Sequence, residues 1–123
     1  MQKNILIAGA ILGLLGVAIG AFGAHGLKGM LAENGRLETF ETAVKYQFYH
    51  ALALLLIGLF MFHMNDPLLH WAGILMGVGT LIFSGSLYIL CLSNVGWWGA
   101  ITPIGGTAMI AGWGCAIYAF MKL

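Results

Sequence analysis

Four histidines, His25, His50, His63 and His70, are the side chains of this chain best suited to chemistry. An imidazole pair with a carboxylate beside it binds a divalent ion or titrates near neutral pH. His25 and His50 fall toward the same end of the expected helices as Glu38 and Glu41, so they are the metal candidates. Their spacing matches no recognised metal motif, and an imidazole bonded to a carbonyl near a helix end is the simpler reading of both. His63 and His70 flank a short turn at the opposite end, where plain interfacial anchoring suffices. Trp113 lies about 11 residues, roughly 16 Å, into an apolar helix, and its indole N–H requires an acceptor. It is expected to fill space left by glycines on a neighbouring helix rather than to stack on a ligand. Cys91 and Cys115 fall at different depths of their spans, too far apart for a bond that needs Cα atoms within about 7 Å, and read as small packing residues. A nucleophile elbow, a phosphate loop and a metalloprotease histidine pair are all missing from the sequence, so catalysis and a cofactor are not expected.

The elements that must hold these residues are set by composition. Of 123 residues 61% are hydrophobic and 7% charged, against about a quarter charged in soluble domains. Lipid is therefore the main solvent. A formal net charge of +1 gives no basis for binding nucleic acid. Residues 4–23 carry no charge and are long enough to cross a hydrocarbon core of about 30 Å. Within that stretch Gly9, Gly13, Gly16, Gly20 and Gly23 step by 4, 3, 4 and 3. At about 100° per residue they form a strip without side chains over roughly a quarter of the helix circumference. Lys3 followed by an apolar run, with Ala21-Phe22-Gly23 beyond it, has the outline of a cleavable signal. A regular packing strip has no use in a discarded segment, so retention is expected.

Residues 24–45 hold six of the nine charges. Leu27, Met30 and Leu31, then Leu37, Phe40, Val44 and Phe48, recur at helical spacing, with a turn at Asn34-Gly35 between them. Glu38, Glu41 and Lys45 occupy the other side, with Glu41 and Lys45 in the favourable i, i+4 order. This pattern predicts an amphipathic helix lying in the interface and leading into a second span over 46–63. Asp66 as N-cap and Pro67 at the first helical position start a third span over 68–92. Thr102-Pro103 is read as a second such start, for a span over 103–121. Gly73, Gly77, Thr80 and Ser84, and then Gly105, Ala108, Gly112, Cys115 and Ala119, repeat the small-residue spacing of the first span.

Close backbone approach is what joins helices in lipid, where no hydrophobic difference drives them together. The expected fold is therefore all-α, one integral membrane domain forming a four-helix transmembrane bundle with a short interfacial helix between the first two spans. Both termini and the Asp66 turn share one side, and the charged segment and Trp97-Trp98 share the other. Lys28, Arg36 and Lys45 on one side nearly balance Lys3 and Lys122 on the other, so the positive-inside rule sets no orientation. No Asp, Glu, Lys, Arg or His is expected near the middle of a span, which argues against transport.

GAFGAHGLK at Gly20 to Lys28, YQFYHALALL at Tyr46 to Leu55, FSGSLY, TPIGG and the later Gly112-Trp113 resemble the small YgdD-like integral membrane proteins grouped as domain of unknown function 423. The resemblance covers essentially the whole chain. It implies a four-span protein of the bacterial cytoplasmic (inner) membrane, and it supplies no reaction or ligand. The resulting expectation is a non-enzymatic structural or interaction module. Its partners would be the lipid bilayer and a second copy or another membrane protein. The alternative is a small channel, transporter or metal-linked component using His25 and His50, and a membrane enzyme comes third.

Overall fold

A computed structural model describes residues 1–123, and it is helical throughout. Four long helices are α1 (Gln2–His25), α3 (Leu37–Phe60), α4 (Pro67–Ser93) and α5 (Thr102–Met121), with the short α2 (Lys28–Glu33) between the first two and a 3₁₀ turn over Gly96–Ala100 before the last. All four long helices are long and apolar enough to cross a membrane. The protein is a multi-pass integral membrane protein.

The second spanning helix departs most from expectation, beginning at Leu37 rather than near 46. The amphipathic segment is divided as a result. Only Lys28–Glu33 forms a separate short helix, while residues 37–45 are the first turns of α3. The expected turn at Asn34-Gly35 is where the division falls. Gly35 has φ +69°, its N–H bonds to Ala32 O and that of Arg36 to Leu31 O, a glycine C-cap that satisfies the last carbonyls of α2. The stripe of Leu37, Phe40 and Val44 then packs on protein. Phe40 fits against Gly23 and joins buried Leu31 and Cys91, and Val44 meets Gly20. A stripe that finds glycine to pack on need not lie on the membrane surface. Glu41 and Lys45 share an outward recess without closing an ion pair, as expected where solvent competes for both charges.

The helices pack as α1 on α3, α3 on α4 and α4 on α5, with a lesser contact of α1 on α4. The main core lies among α1, α3, α4 and α5 around Leu54, Leu69, Ala72 and Met76. The strip on α1 meets α3 as expected, with one exception. A Cβ on Gly9 would lie 2.9 Å from Ala51 O, and one on Gly16 2.9 Å from the Phe48 ring, whereas one on Gly13 would meet nothing within 4 Å. Gly13 sits at one edge of the strip, and α3 follows the other. Gly16→Leu is accordingly expected to loosen α1 from α3 by about 1–3 kcal/mol, the usual range for overpacking. Gly13→Leu is the matched control, and detergent melting curves that are the same for both would contradict this packing.

The tightest seam joins α4 to α5, and it combines expected and unexpected glycines. A Cβ on Gly79 would lie 2.8 Å from Gly105 O, and one on Gly112 3.1 Å from Ala72 O. On α5 the buried positions are Gly105, Met109, Gly112, Ala116 and Ala119, so Ala108 and Cys115 stand at the edge of the seam. On α4 most of the expected seam faces elsewhere, and of its four residues only Thr80 reaches α5, at Met109 Sδ, 3.7 Å away. Gly73 abuts Ile5 of α1, Gly77 has only the tip of Leu54 at 3.9 Å, and Ser84 donates to Ala43 O at 2.7 Å. Helix α4 thus carries two seams, one toward α1 and α3 and one toward α5.

The ends are tied as the topology requires. Gln2 Nε2 donates to Met61 O at 3.3 Å, and Lys122 pairs with Asp66 at 3.2 Å. At the other end Arg36 Nε donates to Asn94 Oδ1 at 3.0 Å. Asp66 caps α4 through Leu68 N–H at 2.9 Å. Thr102 makes no such cap, and its hydroxyl instead reaches Ser86 Oγ at 2.6 Å. Ser86 gives its own proton to Phe83 O, so Thr102 is the donor. The Leu68 N–H, with Lys122 adding to it, holds the Asp66 carboxyl below its ordinary range. A depressed folded-state value stabilises the fold fully above pH about 5, and the contribution fades as pH falls through the carboxylate range. Acid is therefore expected to lower the melting temperature of the native chain more than that of Asp66→Asn, which keeps a cap without the charge. Parallel acid profiles would sink this assignment.

Candidate functional site

The longer α3 changes the position of His50. It lies 13 residues after Leu37, about 20 Å along the helix and near the middle of this span rather than at its end. The expectation of no ionisable residue at that depth is corrected accordingly. His50 is 4% exposed, and both ring nitrogens are engaged. Nδ1–H donates to Tyr46 O at 2.8 Å, and Nε2 accepts from Trp113 Nε1–H at 3.1 Å. A carbonyl can only accept and an indole N–H can only donate, so His50 is the neutral Nδ1–H tautomer. Tyr46 stacks beside it and Phe83 closes the cluster. Trp113 does not fill a glycine gap. It is 47% exposed and lies over His50 as a polar link between α3 and α5.

A second polar centre has no counterpart in the sequence reading. Gln47, 3% exposed, donates through Nε2 to Leu12 O at 2.8 Å and accepts from Tyr88 Oη at 2.5 Å. It links α1, α3 and α4 near mid-depth. The sequence signal was present, since Gln47 falls on the same helical face as Phe40, Val44 and Ala51, the side that meets α1. A lone glutamine in an apolar helix does not itself name a distant partner.

Gln47 and Tyr88 also border a furrow between α1 and α4. Three spaces follow one another along it. One of about 380 Å³ lies between Ile5, Ala8, Ile11 and Gly73, Gly77, Val78. A waist of about 160 Å³ at Leu12, Leu15 and Leu81 carries Gln47, Thr80, Ser84 and Tyr88 on its floor. The last, about 410 Å³, is walled by Ala18, Ile19, Phe22, Leu27, Phe40, Tyr88 and Leu92, all apolar or aromatic. Adjoining spaces share Leu12 and Leu81, then Ile19 and Tyr88, so the furrow is continuous.

The remaining candidates are dispersed. His25 is exposed at the end of α1, beyond the level at which Gly23 meets Phe40. Phe40 is itself 10 residues, about 15 Å, from His50 along α3, so the two imidazoles do not meet. Glu41 faces outward in the recess with Lys45. His63 is exposed in the turn, and His70 lines a shallow recess with Met1 and Trp71. Cys91 is buried and Cys115 half-buried, both as free thiols. No three of the His, Cys, Asp and Glu side chains gather around one point.

Residues 19–106 match the family model described as Protein of unknown function (DUF423). The chain belongs to the DUF423 family. The DUF423 match runs from the furrow wall at Ile19 to Gly106, taking in His25, Gln47, His50 and Tyr88 and stopping before Trp113. Three relatives extend the likeness over nearly the whole chain. A UPF0382 membrane protein of Staphylococcus haemolyticus is 46% identical over 91% of this chain and 90% of its own length. The UPF0382 membrane protein YwdK of Bacillus subtilis is 42% identical over 98% of both chains. The UPF0382 inner membrane protein YgdD of Escherichia coli K12 is 37% identical over 99% of this chain and 92% of its own. No solved structure matches. The inner-membrane location of the Escherichia coli relative agrees with the cytoplasmic-membrane location expected for this DUF423 chain.

Proposed function

We propose that the protein is a non-enzymatic interaction module of the membrane, engaging other membrane components through its sides rather than passing or converting a substrate within. One observation carries this reading. Every buried side-chain nitrogen and oxygen is already bonded within the chain, so no interior group is left to meet a solute. The furrow opens outward between α1 and α4, on the side of the bundle.

Two measurements on the full chain test it. Proteoliposomes are expected to hold proton and potassium gradients as long as empty vesicles do. A protein-dependent leak abolished by His50→Ala would establish the channel reading instead. In cells, a photocrosslinking amino acid at Leu15 or Leu81, which border the furrow, is expected to give discrete adducts. The same probe at Ile110, 74% exposed on α5, is expected to give none. Equal, diffuse labelling from all three positions would remove the lateral site.

A further inference from the structure

We propose that the half of the furrow nearer the charged segment seats one acyl chain of an anionic phospholipid, whose headgroup is held by Lys28 and Arg36; this rests on the lateral-module reading. The shape of the furrow selects a flexible chain over a helix. A transmembrane helix is a uniform rod about 10 Å across. The furrow instead is a succession of unequal spaces of about 410, 160 and 380 Å³, the smallest in the middle. Leu27 and Leu92 wall its interfacial end, where a rod continuing past the membrane would have to pass. From Phe22 down to Leu12 is 10 residues of α1, about 15 Å, which is half of a hydrocarbon core of about 30 Å. One leaflet's acyl chain spans that depth.

Charge at the rim selects the headgroup. Lys28 follows the wall residue Leu27 and is exposed, without an ion pair. Arg36 is tied to Asn94, two residues beyond Leu92, through Nε alone, so both terminal amino groups of its fork remain free for phosphate oxygens. The carboxylates of the same segment point elsewhere. Glu41 borders a separate recess between α3 and Gly20, Gly23 and Ala24 of α1, Glu38 is one turn before it on the outer face, and Glu33 is about half a turn round α2 from buried Leu31.

The test uses the purified full chain with phosphatidylglycerol or phosphatidylcholine of identical acyl chains, read by native mass spectrometry and by melting temperature. Phosphatidylglycerol is expected to be retained in preference, by about fivefold for each cation near the surface. Lys28→Gln with Arg36→Gln is expected to bring the two lipids to parity, and Lys3→Gln at the opposite end to leave the preference intact. Ala18→Phe, which fills the chamber, is expected to reduce retention of both lipids. Glycerol 3-phosphate, the headgroup chemistry without a chain, is expected to leave the melting temperature unchanged. If the double variant melts early without lipid, Lys28→Gln alone decides, with a partial loss of preference expected. Equal retention by the native chain, or a preference that survives the double variant, overturns the assignment. Either result accompanied by discrete furrow crosslinks would leave the module reading standing, whereas a vesicle leak would overturn that reading whatever the lipids do.

Discussion

Gly105→Ala separates α5 from α4, while Gly114→Ala on the same helix leaves the protein as stable as before or slightly more so. A single methyl group is expected to have opposite signs nine residues apart. At Gly105 it would point into Phe83 N and lie 2.6 Å from Gly79 O, and backbone atoms of a packed helix cannot swing aside as a side chain can. The helices must move apart, giving up the dispersion contacts that hold them together in lipid. A cost at the upper end of the overpacking range, about 3 kcal/mol, is expected. At Gly114 a Cβ meets nothing within 4 Å, so the gain of about 0.5–1 kcal/mol from removing a helix glycine stands alone. Thermal unfolding in detergent, followed by circular dichroism, gives both numbers. A Gly105→Ala protein that melts with the native chain would show that the seam is looser than its geometry.

Why the seams were half legible follows from what a glycine pattern encodes. Spacings of 3 and 4 put Gly9, Gly16, Gly20 and Gly23 on one face, and that face does meet α3. The pattern identifies a face without naming its partner. Gly13 shares the spacing and packs on nothing, while Gly58 and Gly79, outside every expected seam, meet Leu6 and Met109 closely. Helix α4 shows the same limit. Gly73 and Gly77 gave one visible stripe, and the second, through Ala72, Met76 and Gly79, was hidden because Ala and Met are unremarkable in an apolar helix.

The candidate site was less legible, and one boundary accounts for most of the difference. Charges at Glu38, Glu41 and Lys45 made residues 37–45 look interfacial, which moved the start of the second span nine residues late and His50 out of the core. Those charges lie on the outward side of α3, where long side chains reach the interface while the opposite face packs on α1. Once α3 starts at Leu37, Gln47 and His50 share mid-depth. They are then linked to Leu12, Tyr88 and Trp113, partners up to 63 residues away in sequence. Distant pairing of this kind leaves no periodic trace.

His50→Leu is expected to cost about 1–3 kcal/mol, because it removes the acceptor of the Trp113 N–H in a setting where water cannot replace it. Trp113→Phe removes the donor and leaves the Nε2 lone pair without one. If the two residues act through their mutual bond, the double substitution costs less than the sum, by a coupling of about 0.6–1.7 kcal/mol as for other side-chain bonds in membranes. Additive losses would mean that each ring contributes only packing. His50→Gln separates the same alternatives, since a side-chain amide oxygen can accept the indole N–H and recover part of the loss. The bond also fixes where the imidazole proton lies. With Nδ1–H on Tyr46 O, Nε2 must be bare, and a ¹⁵N spectrum of labelled histidine should show one acceptor nitrogen at that atom. A proton on Nε2 would set two donors against each other at 3.1 Å, so finding one there would mean that α3 and α5 do not meet as described.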